Sequence, residues 1–100
     1  MNFYQINKLF LRLFGRLHGI CDISGFDFSP TRDEAIVLFV VRSERKKEKF
    51  LNKSFHKCRD KYLEYIKKYP QYANFSYEFM VISKEDVRKN FGGSYYNVMH

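Results

Sequence analysis

The sequence AIVLFVV, at residues 35–41, decides the fold because all seven consecutive positions are apolar. The run is too short for a capped helix, and its β-branched residues favour extended structure. A strand with no polar face must be covered on both sides. We therefore predict that residues 35–41 form the central strand of a sheet.

Two further strands are predicted around this one. Residues 20–28 have strand composition, and their apolar alternation slips across Ser24-Gly25, which indicates a bulge. Residues 29–33, SPTRD, have the composition of a turn. Residues 75–82 alternate between two sets of side chains, as strands do. The sheet should therefore contain three strands.

Three helices complete the prediction. Residues 3–18 carry apolar side chains at helical spacing. A long helix should begin after Ser43, a good N-cap, and end before Pro70. Its expected buried stripe is Leu51, Phe55, Cys58, Tyr62, Ile66 and Tyr69. Ser83, with Asp86 three residues later, should start a short helix that ends at Gly92-Gly93.

The order α-β-β-α-β-α predicts one α+β domain over residues 1–100. We expect a small, mainly antiparallel three-stranded sheet, packed with an N-terminal helix and a long basic amphipathic helix. A crossover through the long helix would allow the third strand to run parallel to the central one.

The net positive charge lies in one segment. Residues 42–68 hold 11 Lys and Arg against 4 Asp and Glu, a balance of +7, which equals the net charge of the whole chain. The remaining 73 residues hold 7 charges of each sign. Charge confined to one elongated helix forms a ridge that attracts polyanions.

The first half of this helix is the candidate binding site. Its lysines recur about one turn apart, a spacing that suits successive phosphates, and few glutamates compensate them. We call the following set the basic ridge: Arg42, Arg45, Lys46, Lys49, Lys53 and Lys57. Lysine is a point charge, so the ridge predicts contact with the phosphates of DNA or RNA rather than base-specific recognition.

Two other interpretations of the charge stay open. A lysine-rich helix face can simply be solvated and keep the protein soluble. The small size and the Lys, Asn, Phe, Tyr and Ile content of an AT-rich coding sequence also suit a phage or mobile-element protein. Such a protein would inhibit an acidic or nucleic-acid-bearing host protein by binding its surface.

Catalytic and metal-binding patterns are weak in this sequence. His18 and Cys21 form one candidate ligand pair, but His56 and Cys58 should point in opposite directions from their helix, so no zinc or other cofactor is predicted. A metal-independent ribonuclease toxin is the second alternative function. It would use His56, or a tail containing Tyr95, Tyr96 and His100.

The remaining expectations concern location and assembly. No run approaches the ~18 apolar residues of a membrane span, and no secretion signal is recognisable, so a cytoplasmic protein is expected. Cys21 and Cys58 should then be reduced thiols. The apolar N-terminal helix leaves a homodimer open.

Overall fold

The structure is a computed structural model that describes residues 3–100. A 3₁₀ turn at Pro70–Tyr72 precedes the last strand. In chain order, the helices and strands are α1 (Phe3–Ile20), β1 (Gly25–Pro30), β2 (Glu34–Val41), α2 (Glu44–Lys53), α3 (Phe55–Ile66), β3 (Ser76–Ser83), α4 (Lys84–Asn90) and α5 (Tyr95–Met99).

The three strands form one mixed sheet in the order β1-β2-β3. β1 is antiparallel to β2, with Gly25 opposite Val40 and Pro30 opposite Ala35. β3 runs parallel to β2, with Glu34 opposite Ser76. The predicted α+β class and the three-stranded sheet are confirmed, and the crossover through the basic segment produces the parallel pairing.

β2 is covered on both faces, as its unbroken apolar sequence predicts. Val37 and Phe39 point into the larger buried cluster, which α1, α2 and α3 complete. Leu38 and Val40 point into a smaller cluster with Val87 of α4 and Met99 of α5. Three helices therefore lie on one face of the sheet and two on the other.

β1 differs from its prediction in both limits and regularity. α1 continues through Ile20, since the Cys21 amide still bonds to the Leu17 carbonyl at 2.7 Å. Pairing from Gly25 to Pro30 is one-to-one, so the predicted bulge is absent from β1. Gly25 marks a close approach instead, because a Cβ there would lie 2.5 Å from the Tyr95 hydroxyl.

The basic segment forms two helices rather than one. Ser54 separates α2 from α3, with φ −112° and ψ −15°, away from regular helical values. Its N–H still bonds to the Phe50 carbonyl and its carbonyl accepts from the Cys58 N–H, so the interruption is local. Buried side chains at Phe50, Cys58, Tyr62 and Ile66 recur every four residues. A straight helix drifts by about 40° per four residues, and the break at Ser54 corrects this drift.

Ser83 connects the two helical layers. Its side chain is fully buried, accepts the Asp86 N–H at 3.1 Å and so caps α4, as predicted. The same hydroxyl donates to the carboxylate of Glu44, the first residue of α2. One side chain therefore fixes the end of β3 and the starts of α2 and α4.

The two cysteines, 37 positions apart in the sequence, meet in the larger cluster. Both are buried free thiols, and a hydrogen bond joins the Cys21 and Cys58 side chains. Burial, reinforced by Cys21, raises the pKa of Cys58 well above its ordinary value. The predicted thiol state is the one the structure describes, but the contact between the thiols was not anticipated.

This burial predicts slow thiol chemistry. A thiol reagent at pH 8 should label neither cysteine in the folded protein, and both after unfolding in urea, because only an accessible thiolate reacts. Mass spectrometry of the quenched reaction measures the labelling. Stability should also fall as the pH rises above about 9, where the unfolded thiol ionises and the folded one does not. Fast stoichiometric labelling of the native protein would contradict the buried pair.

Candidate nucleic-acid interface

All six residues of the basic ridge are solvent-exposed. Arg42 directly follows β2, Lys57 lies in the first turn of α3, and the other four lie on α2. The residues therefore share one side of the molecule, in the layer formed by α1, α2 and α3. The structure places the predicted site residues at the surface but divides them between two helices.

The orientation of α2 differs from the prediction. Phe50 is buried at 2% exposure, whereas Leu51, expected in the buried stripe, is 42% exposed. Neighbouring positions differ by about 100° around a helix, so α2 is rotated by that angle relative to the prediction. Lys49 and Lys53 consequently lie on the flank of α2, and Lys57 lies opposite the buried side of α3.

This rotation brings one ridge lysine close to the body of the protein. The Lys46 ammonium lies 3.8 Å from a carboxylate oxygen of Asp22, in the segment after α1. Both side chains are exposed, so the pair contributes little stability. It does neutralise part of the charge at Lys46, which weakens its case as a phosphate contact.

The other ridge cations remain unpaired. In residues 3–100, Arg42, Arg45, Lys49, Lys53 and Lys57 have no carboxylate within 4.0 Å. The nearby acids are engaged elsewhere: Glu44 accepts from Ser83, and Asp60 and Glu64 pair with Arg59 and Lys61. Five exposed cations therefore carry uncompensated charge along α2 and the start of α3.

A shallow depression lies at the start of α2. It has a volume of about 340 Å³ and is lined by Ser43, Arg45, Lys46 and Lys49. Ser43 caps the helix by accepting the Lys46 N–H at 3.2 Å, so its hydroxyl is already used. The cations around the depression make it electropositive without defining a specific ligand.

A second basic surface was missed by the sequence analysis. A cleft of about 250 Å³ between α1 and the end of α3 is lined by Arg12, Leu13, Arg16, Tyr65, Lys68 and Tyr69, a set we call the helix cleft. Its three cations come from segments more than 50 residues apart. The only sequence signal was the absence of acidic residues from α1, which does not reveal the partner helix.

Aromatic contacts hold the helix-cleft cations in place. The Arg12 guanidinium donates to the Tyr69 hydroxyl at 3.2 Å. The Arg16 guanidinium lies 5.1 Å from the Tyr65 ring centre, and the Lys68 ammonium lies 5.7 Å from the same ring. Cation–π contacts orient a charge without neutralising it. The cleft therefore concentrates positive charge in a fixed arrangement.

The residues proposed for ribonuclease chemistry are not brought together. His56 is exposed on α3, and Asp60, four residues on, pairs with Arg59 instead of the imidazole. His100 lies with α5 on the other face of the sheet, bonded to the Ser29 hydroxyl at 2.8 Å and stacked on Tyr96. His56 and His100 therefore belong to separate surfaces.

No three His, Cys, Asp or Glu side chains among residues 3–100 gather in a way that could hold a metal ion. His18 donates from Nδ1 to the Ile23 carbonyl at 2.6 Å, and His56 points to solvent while Cys58 is buried. In the same part of the chain, no helix combines the length and apolar character that crossing a bilayer requires.

The structure also exposes an apolar patch at α1 and β1. A depression of about 240 Å³ is lined by Phe10, Leu11, Phe14, Gly25, Phe26 and Tyr95. Leu11 on its rim is 73% exposed. An exposed apolar surface of this kind is typical of a contact with another protein.

Comparison with protein families, with curated proteins and with solved structures finds no match to this chain. The function must therefore be inferred from the surfaces themselves.

Proposed function

We propose that this protein is a non-enzymatic nucleic-acid-binding protein that contacts the phosphate backbone through the basic ridge. The observation that supports the proposal is the set of five exposed cations on α2 and α3 that no carboxylate of residues 3–100 neutralises. Like charges at this spacing repel each other, and a polyanion would relieve that repulsion.

The residue types favour binding with little sequence preference. The ridge contains four lysines, which act as point charges, and two arginines, of which Arg45 lies within α2. Base-specific recognition in a groove relies on side chains with paired donors and acceptors. A lysine-dominated helix flank suits phosphates of any sequence.

The salt dependence of binding tests this proposal. With five phosphate contacts, log K should fall against log[salt] with a slope of about −4.5 for duplex DNA and about −3.5 for a single strand. Fluorescence anisotropy with labelled duplex and single-stranded probes at several NaCl concentrations measures both slopes. A slope near zero, or no binding at 50 mM NaCl, would contradict the proposal.

The second candidate is an inhibitor that binds a host protein or nucleoprotein complex, and the apolar patch favours it. Phe10, Leu11 and Phe14 expose apolar surface on α1, where a second copy or another protein can bind. A purified complex with a defined partner that survives nuclease treatment, and that Leu11→Glu disrupts, would support this function over direct nucleic-acid binding.

A further inference from the structure

We propose that the helix cleft binds the terminal phosphate of a nucleic-acid strand that lies along the basic ridge. This inference rests on the proposed function and adds a second site to it, formed by α1 and the end of α3. The ligand chemistry is a phosphate monoester on a nucleotide, at either the 5′ or the 3′ end of the strand.

The geometry of the cleft is that of a prepared anion site. Arg12 and Arg16 are four residues apart on α1, so their side chains leave the same face of that helix. Tyr69 holds one guanidinium through its hydroxyl, and the Tyr65 ring holds the other. An arginine with a fixed planar fork loses less freedom when it binds phosphate oxygens in bidentate fashion.

The charge of the cleft distinguishes it from the ridge. Arg12, Arg16 and Lys68 place three positive charges around one depression, and no acidic residue lines it. None of the three forms an ion pair within the part of the chain described. A bridging phosphodiester carries one negative charge, whereas a phosphate monoester carries nearly two at neutral pH. Three converging cations therefore match a strand end better than a strand interior.

The position of the cleft continues the ridge. Lys57 and Lys68 are eleven residues apart, which is close to three full turns, so both lie on nearly the same side of α3. The distance between them along the helix is about 16 Å. The Lys61–Glu64 pair, at 3.5 Å, lies between them and is neutral. A strand bound at Lys57 would thus reach the cleft within a few nucleotides.

The experiment compares three ten-nucleotide thymidine strands that carry a 5′ phosphate, a 3′ phosphate or no terminal phosphate. Their affinities for the full chain are measured by fluorescence anisotropy at 100 mM NaCl. We expect one phosphorylated strand to bind about tenfold more tightly than the strand without a phosphate. Treating that strand with phosphatase should abolish the difference.

Matched variants assign the preference to the cleft. In Arg12→Gln/Arg16→Gln, both strands should bind with the same affinity. Arg88→Gln/Lys89→Gln removes the same charge from exposed positions on α4, across the sheet, and should keep the tenfold preference. Tyr69→Phe keeps the ring but releases Arg12, and it should reduce the preference without abolishing it. Thermal melting checks that each variant is folded.

Three results would overturn the inference. They are equal binding of all three strands, a preference that persists in Arg12→Gln/Arg16→Gln, and equal competition by a phosphopeptide, which would assign the cleft to a phosphoprotein. Equal binding of the three strands with a steep salt slope would leave the ridge proposal standing and remove only this one. A phosphate preference combined with unchanged binding in the ridge variant would instead remove the ridge.

Discussion

Replacing Lys49, Lys53 and Lys57 together with glutamine is expected to weaken nucleic-acid binding by about two orders of magnitude at 0.1 M salt. Each lost phosphate contact removes about 0.7–0.9 from the slope of log K against log[salt]. The slope should therefore become shallower by between 2 and 3, as an order of magnitude from the same relation. Anisotropy titrations of the variant and the parent protein over a series of salt concentrations measure both changes.

These three lysines are chosen because their side chains are exposed and have no carboxylate partner within residues 3–100. Lys46→Gln is the internal comparison, since its ammonium already lies 3.8 Å from Asp22 and should contribute less. Arg88→Gln/Lys89→Gln again controls for net charge on the opposite face of the sheet. If the triple variant bound like the parent protein, the ridge would be a solvated helix surface and nothing more.

Tyr62→Phe is expected to stabilise the protein by about 1 kcal/mol, although it removes a polar group. Tyr62 is fully buried among aromatic rings, with the centres of the Phe79 and Tyr77 rings each 5.6 Å away. Its hydroxyl is a buried polar atom without a hydrogen-bond partner in residues 3–100. Removing it ends the cost of its desolvation and keeps the ring contacts. Urea unfolding followed by circular dichroism measures the change.

Tyr77→Phe is the matched control and should act in the opposite direction. The Tyr77 hydroxyl donates to the Tyr72 carbonyl at 2.5 Å, so its loss should cost about 1 kcal/mol. Tyr62→Ala would cost about 3–5 kcal/mol, because it leaves a cavity in the larger cluster. Destabilisation by Tyr62→Phe as large as that by Tyr77→Phe would show that the Tyr62 hydroxyl has a partner.

The same tyrosines make stability depend on alkaline pH. Burial raises the pKa of Tyr77 to about 12 and raises that of Tyr62 further. An unfolded tyrosine ionises near pH 10.0, so above that pH the unfolded chain loses protons that the folded chain keeps. The free energy of unfolding should therefore fall as the pH rises above 10, and Tyr62→Phe should reduce the fall.

The sheet could be predicted from the sequence because its determinants are local. The apolar run at residues 35–41 requires cover on both faces, and Ser83 with Asp86 defines the start of α4 through a cap three residues long. These features depend on neighbours within one element. The parallel pairing of β3 with β2 was the open point, since a crossover permits that pairing without requiring it.

The features that escaped prediction depend on distant contacts or on small rotations. The choice between Phe50 and Leu51 as the buried residue depends on where α2 meets the sheet, which periodicity alone does not fix. The helix cleft requires Arg12 to meet Tyr69, 57 residues later, and no local pattern reports that contact. The ridge residues were correctly expected at the surface, because long runs of charged side chains are rarely buried.

The bond between Ser83 and Glu44 also bears on the electrostatics of the proposed interface. Glu44 is the acid next to Arg45 in the sequence, and a mobile carboxylate there would act as an intramolecular counterion. By accepting the buried Ser83 hydroxyl, the Glu44 carboxylate is directed toward the sheet and away from its cationic neighbours. The protein thus sequesters a potential competitor for the anion, and an interior hydroxyl helps to set the surface potential.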